Sequence, residues 1–315
     1  MSTLKSIQLV LAMPLCFLLA VLILNRLIRV GLAAPRVREN GVPDCLHWRE
    51  VKIQTARNKT LFGWFIPAGE RAPALAVLHG WGGNAEMMLP LAKPMHEVGY
   101  ALLFFDARNH GRSDGDSFSS LPRFAADLES ALEWLQVQGD VDETRVGVIG
   151  HSVGAGAALL LAAQRHDLAA VVSLSAFAHP ASMMRRWLKS RRIPFWPLGA
   201  YILFYVQLVI GYRFDDIAPL RTIGRVNCPV LLAHGTGDET VPMSEAQEIY
   251  ANRADKQVHL LLVPGSHGEF GDLERYIGTM TEFLDKAMGM ERVKGIEPSY
   301  AAWEAAVLPL NYTRL

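Results

Sequence analysis

The hydrophobic pattern of the chain starts as one continuous run and then breaks into alternation. From Ile7 to Leu24 there is no charged residue, and only Gln8 and Pro14 interrupt the apolar series. At about 1.5 Å per residue, a helix of that length reaches roughly 27 Å, close to the hydrocarbon thickness of a bilayer. Arg26 and Arg29 follow directly, and Pro35 follows the small pair Ala33 and Ala34, which makes a poor signal-peptidase site. The run reads as an uncleaved transmembrane anchor within residues 1–30, followed by a linker over 31–45. A cleaved signal peptide and a buried core helix are the competing readings.

Beyond the linker, short apolar runs alternate with longer amphipathic segments. Residues 46–54 and 60–66 read as a leading hairpin. Further strands are predicted at 74–79, 100–106, 145–150, 169–175, 230–234 and 257–263. Several are unbroken Val, Leu and Ala series, the pattern of strands buried on both faces of a parallel sheet. Helical segments fall at about 85–97, 121–138, 153–165, 243–253 and 272–288. The alternation predicts an α/β domain over 46–288, with a mostly parallel, doubly wound sheet. Roughly 50 residues separate the strand near Ser175 from the one near Val230, too many for an ordinary crossover. Residues 176–226 therefore predict an inserted helical cap. It carries Arg185, Arg186, Lys189, Arg191 and Arg192, then an uncharged stretch from Ile193 to Tyr212.

Composition narrows the classes. The 315 residues are 50% hydrophobic and 20% charged, enough to bury a large core, and wholesale disorder is excluded. Basic and acidic residues balance at 31 each, leaving no global electrostatic reason to bind nucleic acid. The balance is uneven locally. Lys5 precedes the apolar run, whereas Arg26, Arg29, Arg36 and Arg38 follow it, so the positive-inside rule puts the main domain on the cytoplasmic side. Cys16 lies in the run, and Cys45 and Cys228 are isolated, giving no metal-type spacing and no disulfide framework.

The candidate chemistry is carried by three turns. Gly150-His151-Ser152-Val153-Gly154 follows a predicted strand and opens a predicted helix, the pattern of a nucleophile elbow. The glycines two residues either side of Ser152 let strand and helix approach without a Cβ clash. A serine needs a base, and the base an orienting acid. Asp238 and His267 each follow a predicted strand, in the chain order serine, acid, histidine, with Glu239 as the fallback acid. His79-Gly80-Trp81-Gly82-Gly83-Asn84 follows another strand. There Gly80 lets a backbone N–H face a substrate oxygen, with the Trp81 and Val153 amides as the oxyanion donors. A small-residue turn, a solvated histidine and an ordinary glycine-rich turn are the bland readings of the three.

Taken together, residues 46–288 resemble an α/β-hydrolase of the serine-hydrolase type. They are most similar to the membrane-associated group related to serine aminopeptidases, monoacylglycerol lipases and prolyl-oligopeptidase catalytic domains. The resemblance implies Ser152, Asp238 and His267 as the triad, supported by Gly150, Gly154, His79 and Gly80. Asp106-Ala107-Arg108-Asn109-His110-Gly111-Arg112-Ser113 resembles the family's loop after its fourth strand, where relatives often carry glycine in place of Asn109. There Asp106 and Arg108 are expected to fix the turn, with His110 a candidate for substrate contact. A serine nucleophile implies acyl transfer rather than the aspartate chemistry of dehalogenases and epoxide hydrolases. No metal or organic cofactor is implied, because the triad supplies its own acid–base chemistry.

The cap composition bears on substrate. A single membrane crossing between Ile193 and Tyr212 would separate Ser152 from Asp238 and His267, so the stretch reads as a lid, either packed on the core or lying on the membrane. Phe195, Trp196, Tyr201, Phe204 and Tyr205 suit an acyl chain. The expected function is a membrane-anchored esterase or thioesterase acting on acylated, lipid-like substrates. A serine aminopeptidase or amidase on the same triad and a non-catalytic membrane scaffold are the alternatives. Residues 289–315 have no clear period. Gly295-Ile296-Glu297-Pro298 resembles a read-through into a tRNA gene, so this tail is expected to be incidental and disordered.

Overall fold

The computed structural model describes residues 2–44, 46–254, 257–268 and 273–290, with only the backbone of 2–12 and 273–275. The expected C-terminal tail beyond Met290, and Cys45, lie outside the described residues.

Eight strands form one sheet: β1 (Arg49–Thr55), β2 (Lys59–Ile66), β3 (Ala72–Leu78), β4 (Ala101–Phe105), β5 (Val141–His151), β6 (Val171–Leu174), β7 (Val230–Gly235) and β8 (Val258–Val263). Their order is β1-β2-β4-β3-β5-β6-β7-β8. β2 runs antiparallel to both neighbours, and every pairing from β4 to β8 is parallel. Side chains on the central strands alternate between two cores, as a period of two requires. On β3, Ala74, Ala76 and Leu78 join one cluster, and Leu75 and Val77 join the other.

The chain passes from β3 out to β4 and returns on the far side of β3 as β5. That reversal opens a crevice at the carboxyl ends of β3 and β5, where ligands bind in open α/β sheets.

The helices are α1 (Ser2–Gly31), α2 (Ala92–Glu97), α3 (Leu121–Gln136), α4 (Val153–Ala162), α5 (Pro180–Ser190), α6 (Ala200–Ile210), α7 (Phe214–Ile217), α8 (Pro219–Thr222), α9 (Met243–Ala251) and α10 (Leu273–Met288). The helix expected over 85–97 is divided into a 3₁₀ segment, Ala85–Leu91, and α2. Pro90 and Pro94 explain the division, since neither can donate to a helical ladder. The uncharged stretch from Ile193 to Tyr212 is likewise divided: Pro194 and Pro197 bracket a turn before α6 begins. The 11 residues of α6 extend only about 16 Å, half a bilayer. Gly211, at φ +76°, ends it in the left-handed conformation.

The N-terminal helix is longer than the apolar run that predicts it. Met13–Gly31 is 19 residues long with mean hydropathy 2.0, and only 6% of it is buried. Phe17, Leu18, Leu22 and Leu27 are exposed along it. Its last turns dock on the cap. Tyr201 Oη donates to Asn25 Oδ1 at 2.7 Å, and Arg29 Nε donates to Tyr205 Oη at 2.8 Å. Ile28 and Leu32 pack against the larger core.

Candidate active site

Ser152 stands between β5 and α4 at φ +54°, ψ −114°, a backbone conformation costly for a residue with a Cβ. Its neighbours show why glycine flanks it. A Cβ on Gly150 would run into Gly154 O, and one on Gly154 would stand 2.5 Å from His79 O. The turn therefore closes only because both side chains are missing, and it brings the end of β3 against the start of α4.

The loops after β7 and β8 complete the arrangement. His267 Nε2 is 3.1 Å from Ser152 Oγ, and His267 Nδ1 is 2.7 Å from Asp238 Oδ2. Asp238 is buried, and its other oxygen accepts from the backbone N–H groups of Thr240 (2.9 Å) and Val241 (2.8 Å). Those two bonds aim the carboxylate at the imidazole and stabilise its charge. Glu239, the fallback acid, is exposed and takes no part.

Two histidines that sequence reasoning passes over belong to this arrangement. His234 is buried on β7, with Nε2 2.8 Å from Val241 O and 3.4 Å from Asp238 Oδ2. His151 precedes the serine and donates through Nε2 to the main-chain oxygen of His267 at 2.7 Å. The elbow motif leaves that position free, so no sequence signal marks it. Burial lowers the His151 pKa to about 4, which keeps the ring neutral.

The turn after β3 closes the opposite side. His79 accepts from Ala107 N at Nε2 (3.1 Å), so its proton sits on Nδ1, which donates to Gly80 O at 2.7 Å. Burial lowers its pKa to about 3. Gly80 packs against Ser152: a Cβ there would stand 3.0 Å from Ser152 Cβ. The amides of Trp81 and Val153 have no acceptor among the described residues; Val153 follows Ser152, and Trp81 lines the same cavity as Ser152. Two free N–H groups beside a nucleophile can receive a developing oxyanion.

The loop after β4 braces this turn. Asp106 accepts from Ala85 N and Arg112 N, both at 2.8 Å, and Arg108 is tied to buried Asp127 on α3 at 2.7 Å. Asn109 has φ +69°, a left-handed position at which glycine is the unstrained residue and asparagine is tolerated. His110, expected as a possible substrate contact, is instead buried beneath Trp81, with Nδ1 on Arg108 O at 2.9 Å. It does not line the cavity.

That cavity, of about 580 Å³, opens beside Ser152 and His267. Met87, Met88, Pro90, Leu91, Leu174 and Met280 supply most of its apolar wall, and no Asp, Glu, Lys or Arg lines it among the described residues. The cap aromatics correct an expectation. Phe195, Trp196, Tyr201, Phe204 and Tyr205 do not line the cavity: Tyr201 and Tyr205 bond to α1, and Trp196 and Phe204 face outward. The apolar wall of the cavity lies instead between the 3₁₀ segment and α10. No group of three potential metal ligands converges among the described residues.

Comparison with known proteins identifies the family. A family model described as serine aminopeptidase, S33, matches residues 69–201. The uncharacterised protein Rv2307c of Mycobacterium tuberculosis is 31% identical over 221 residues, which are 69% of this chain and 71% of that protein. The chain belongs to the α/β-hydrolase family. Among family members, the uncharacterised protein YqkD of Bacillus subtilis is 25% identical over 238 residues, 74% of this chain and 78% of its own length. The esterase Pf2001 of Pyrococcus furiosus superposes with a TM-score of 0.68 at 26% identity, covering 82% of this α/β hydrolase and 98% of the esterase. Est1E of Butyrivibrio proteoclasticus, solved with ferulic acid bound, shares the fold at 21% identity and a TM-score of 0.60, over 76% of this chain and 99% of its own.

Proposed function

We propose that this serine hydrolase is a membrane-anchored esterase cleaving esters or thioesters of hydrophobic acyl groups. Ser152 Oγ attacks the acyl carbonyl while His267 Nε2 takes its proton, and Asp238 holds the Nδ1 proton in place. The oxyanion is met by the amides of Trp81 and Val153. His267 then protonates the departing alcohol or thiol. Water attacks the acyl-enzyme with His267 as base, and Ser152 is regenerated. The observation that carries the reading is the Ser152–His267–Asp238 relay opening directly onto a methionine-walled cavity whose described lining residues include no Asp, Glu, Lys or Arg.

Membrane attachment has its own support. A signal peptide leaves the mature protein, yet the last turns of α1 bond to Tyr201 and Tyr205 and pack into the core, as a retained segment would. Next to it, the cap exposes Trp187, Trp196, Phe204, Leu208 and Tyr212. Lys189, Arg191 and Arg192 lie at the end of α5. Apolar side chains rimmed by basic ones suit the interface of an anionic leaflet. The excess of Arg after the apolar run supports a cytoplasmic domain.

The test uses full-length protein in detergent micelles with p-nitrophenyl esters and acyl-thioesters of graded chain length, alongside aminoacyl-amides. Medium-chain acyl substrates are expected to turn over fastest, and Ser152→Ala to abolish both turnover and fluorophosphonate labelling. Faster cleavage of the amides would make it a peptidase, and labelling that survives the substitution would remove Ser152 from the mechanism.

A further inference from the structure

The linker that follows α1 is packed along its length. Pro35 lies against the turn after β3, where a Cβ on Gly82 would stand 3.0 Å from Pro35 Cγ. Asn84 Nδ2 donates to Val37 O at 3.2 Å, and Asn40 N donates to Glu86 Oε2 at 2.8 Å. The strap from Pro35 to Asn40 is thus bonded to the segment that continues directly from Trp81 and walls the cavity.

Between those attachments Glu39 turns inward. Both its carboxylate oxygens are buried and meet no N–H or O–H donor among the described residues. They face Asp106: a Cβ on Gly111 would collide with Asp106 Oδ2 and Glu39 Oε1 alike. Asp106 is itself a structural member of the turn, since its Oδ1 accepts from Ala85 N.

Two buried carboxylates cannot sit together with both ionised; sharing one proton turns repulsion into a hydrogen bond. The other charged or titratable groups around the pair are Arg36 on the strap, His110 and Arg112 on the loop after β4, His79 on the turn after β3, and Glu86 on the 3₁₀ segment. None gives a side-chain hydrogen bond to either carboxyl among the described residues. Burial keeps His79 and His110 neutral, and the Arg112 guanidinium is engaged by Glu50 at 2.9 Å.

We propose that Glu39 is a positioning residue for the oxyanion turn, clamping the strap to it through a proton shared with Asp106. When that proton is lost, the two charges repel and the strap detaches from the turn. Burial and the Glu39 carboxyl together raise Asp106 far above the usual carboxylate range, so the shared proton is lost only on the alkaline side. Only the kinetic half of the test rests on the esterase reading.

The experiment follows wild type, Glu39→Gln and Glu39→Ala, each full-length in detergent micelles, from about pH 7 to about pH 9.5. Trypsin cleavage after Arg36, whose scissile bond is clear of position 39, reports strap release. Wild type is expected to be cut increasingly faster than Glu39→Gln as pH rises, because the amide donates to an ionised Asp106 and stays clamped. Glu39→Ala should be cut fast at every pH, whether or not the glutamine variant is stable. With p-nitrophenyl butyrate, wild-type kcat should fall about tenfold over the range while KM holds, and Glu39→Gln should stay nearly flat. Identical cleavage profiles in wild type and Glu39→Gln, together with no increase for Glu39→Ala at pH 7, would overturn the proposal. An absence of esterase activity in all three would sink the esterase reading and leave the cleavage comparison standing.

Discussion

The side chain of His151 is bonded to the main chain of His267: Nε2 of the residue before Ser152 lies 2.7 Å from the carbonyl oxygen of the general-base candidate. A strand-to-helix turn and a distant loop are thereby joined at the two residues whose separation decides proton transfer. Ser152 Oγ and His267 Nε2 are 3.1 Å apart, and a displacement of about 1 Å would take them out of hydrogen-bond range.

Removing that strut should therefore misplace the base. His151→Phe is expected to lower kcat about tenfold with KM changed less than about twofold, because positioning and not binding is lost. His151→Gln retains a donor at the same reach and should recover most of the rate. Steady-state kinetics on a p-nitrophenyl ester decide this, and equal losses in both variants would show that the bond is immaterial.

The buried imidazoles also set an acid limit. His79 and His151 have folded-state pKa values of about 3 and about 4, below the unfolded value of 6.5. Between those limits the unfolded chain binds more protons, so their stabilising contribution is complete above pH 6.5 and drains away as pH falls toward 4 and then 3. For His151 alone the loss by pH 4 is on the order of 3 kcal/mol. Urea midpoints measured at pH 7 and pH 4.5 should show a large fall in wild type and a smaller one in His151→Gln.

The elbow should resist even a methyl group. A Cβ on Gly154 meets Leu78 O at 2.7 Å as well as His79 O, and both are backbone atoms at the end of β3 that cannot swing aside. Gly154→Ala is expected to cost at least about 2 kcal/mol, and to push the His79–Trp81 turn away from Ser152. Thermal melts together with kcat would show both effects, and an unchanged melt would refute the close approach.

Cavity volume should control acyl length. Met88 is a buried wall residue, and Met88→Trp puts a large rigid ring where a flexible chain now lies. Turnover of medium-chain esters should drop about tenfold relative to acetate. A uniform loss across all chain lengths would place the acyl group elsewhere.

The strand pattern was readable because each buried strand carries its own periodicity, and β3 through β8 fall where the Val, Leu and Ala series lie. Ser152, Asp238 and His267 were readable because each sits in a short segment whose glycines or flanking strand mark it. Residues that act through distant partners could not be read. His151 looks like any residue inside an elbow until the carbonyl of His267, 116 positions later, arrives beside it. The cap aromatics misled for a related reason: apolar composition has no direction. Tyr201 and Tyr205 would serve an acyl chain equally well, and only the approach of Asn25 and Arg29, 176 residues upstream, settles which way they face. Glu39 is one acid among 31 in the sequence, and its inward turn depends on a strap whose course no local pattern encodes.

The joint between α1 and α6 has no swivel. Asn25 and Arg29 are one helical turn apart, as are Tyr201 and Tyr205, so two parallel bonds resist rotation and sliding together. A helix joined only through a flexible linker would be free to take any orientation. Here any tilt of the N-terminal helix is delivered as torque to the cap, and from Gly31 the chain needs only four more residues to reach Pro35 against the turn beside Ser152. Exchanging the helix for another apolar helix of equal length would keep the hydrophobic run but lose both bonds to the cap.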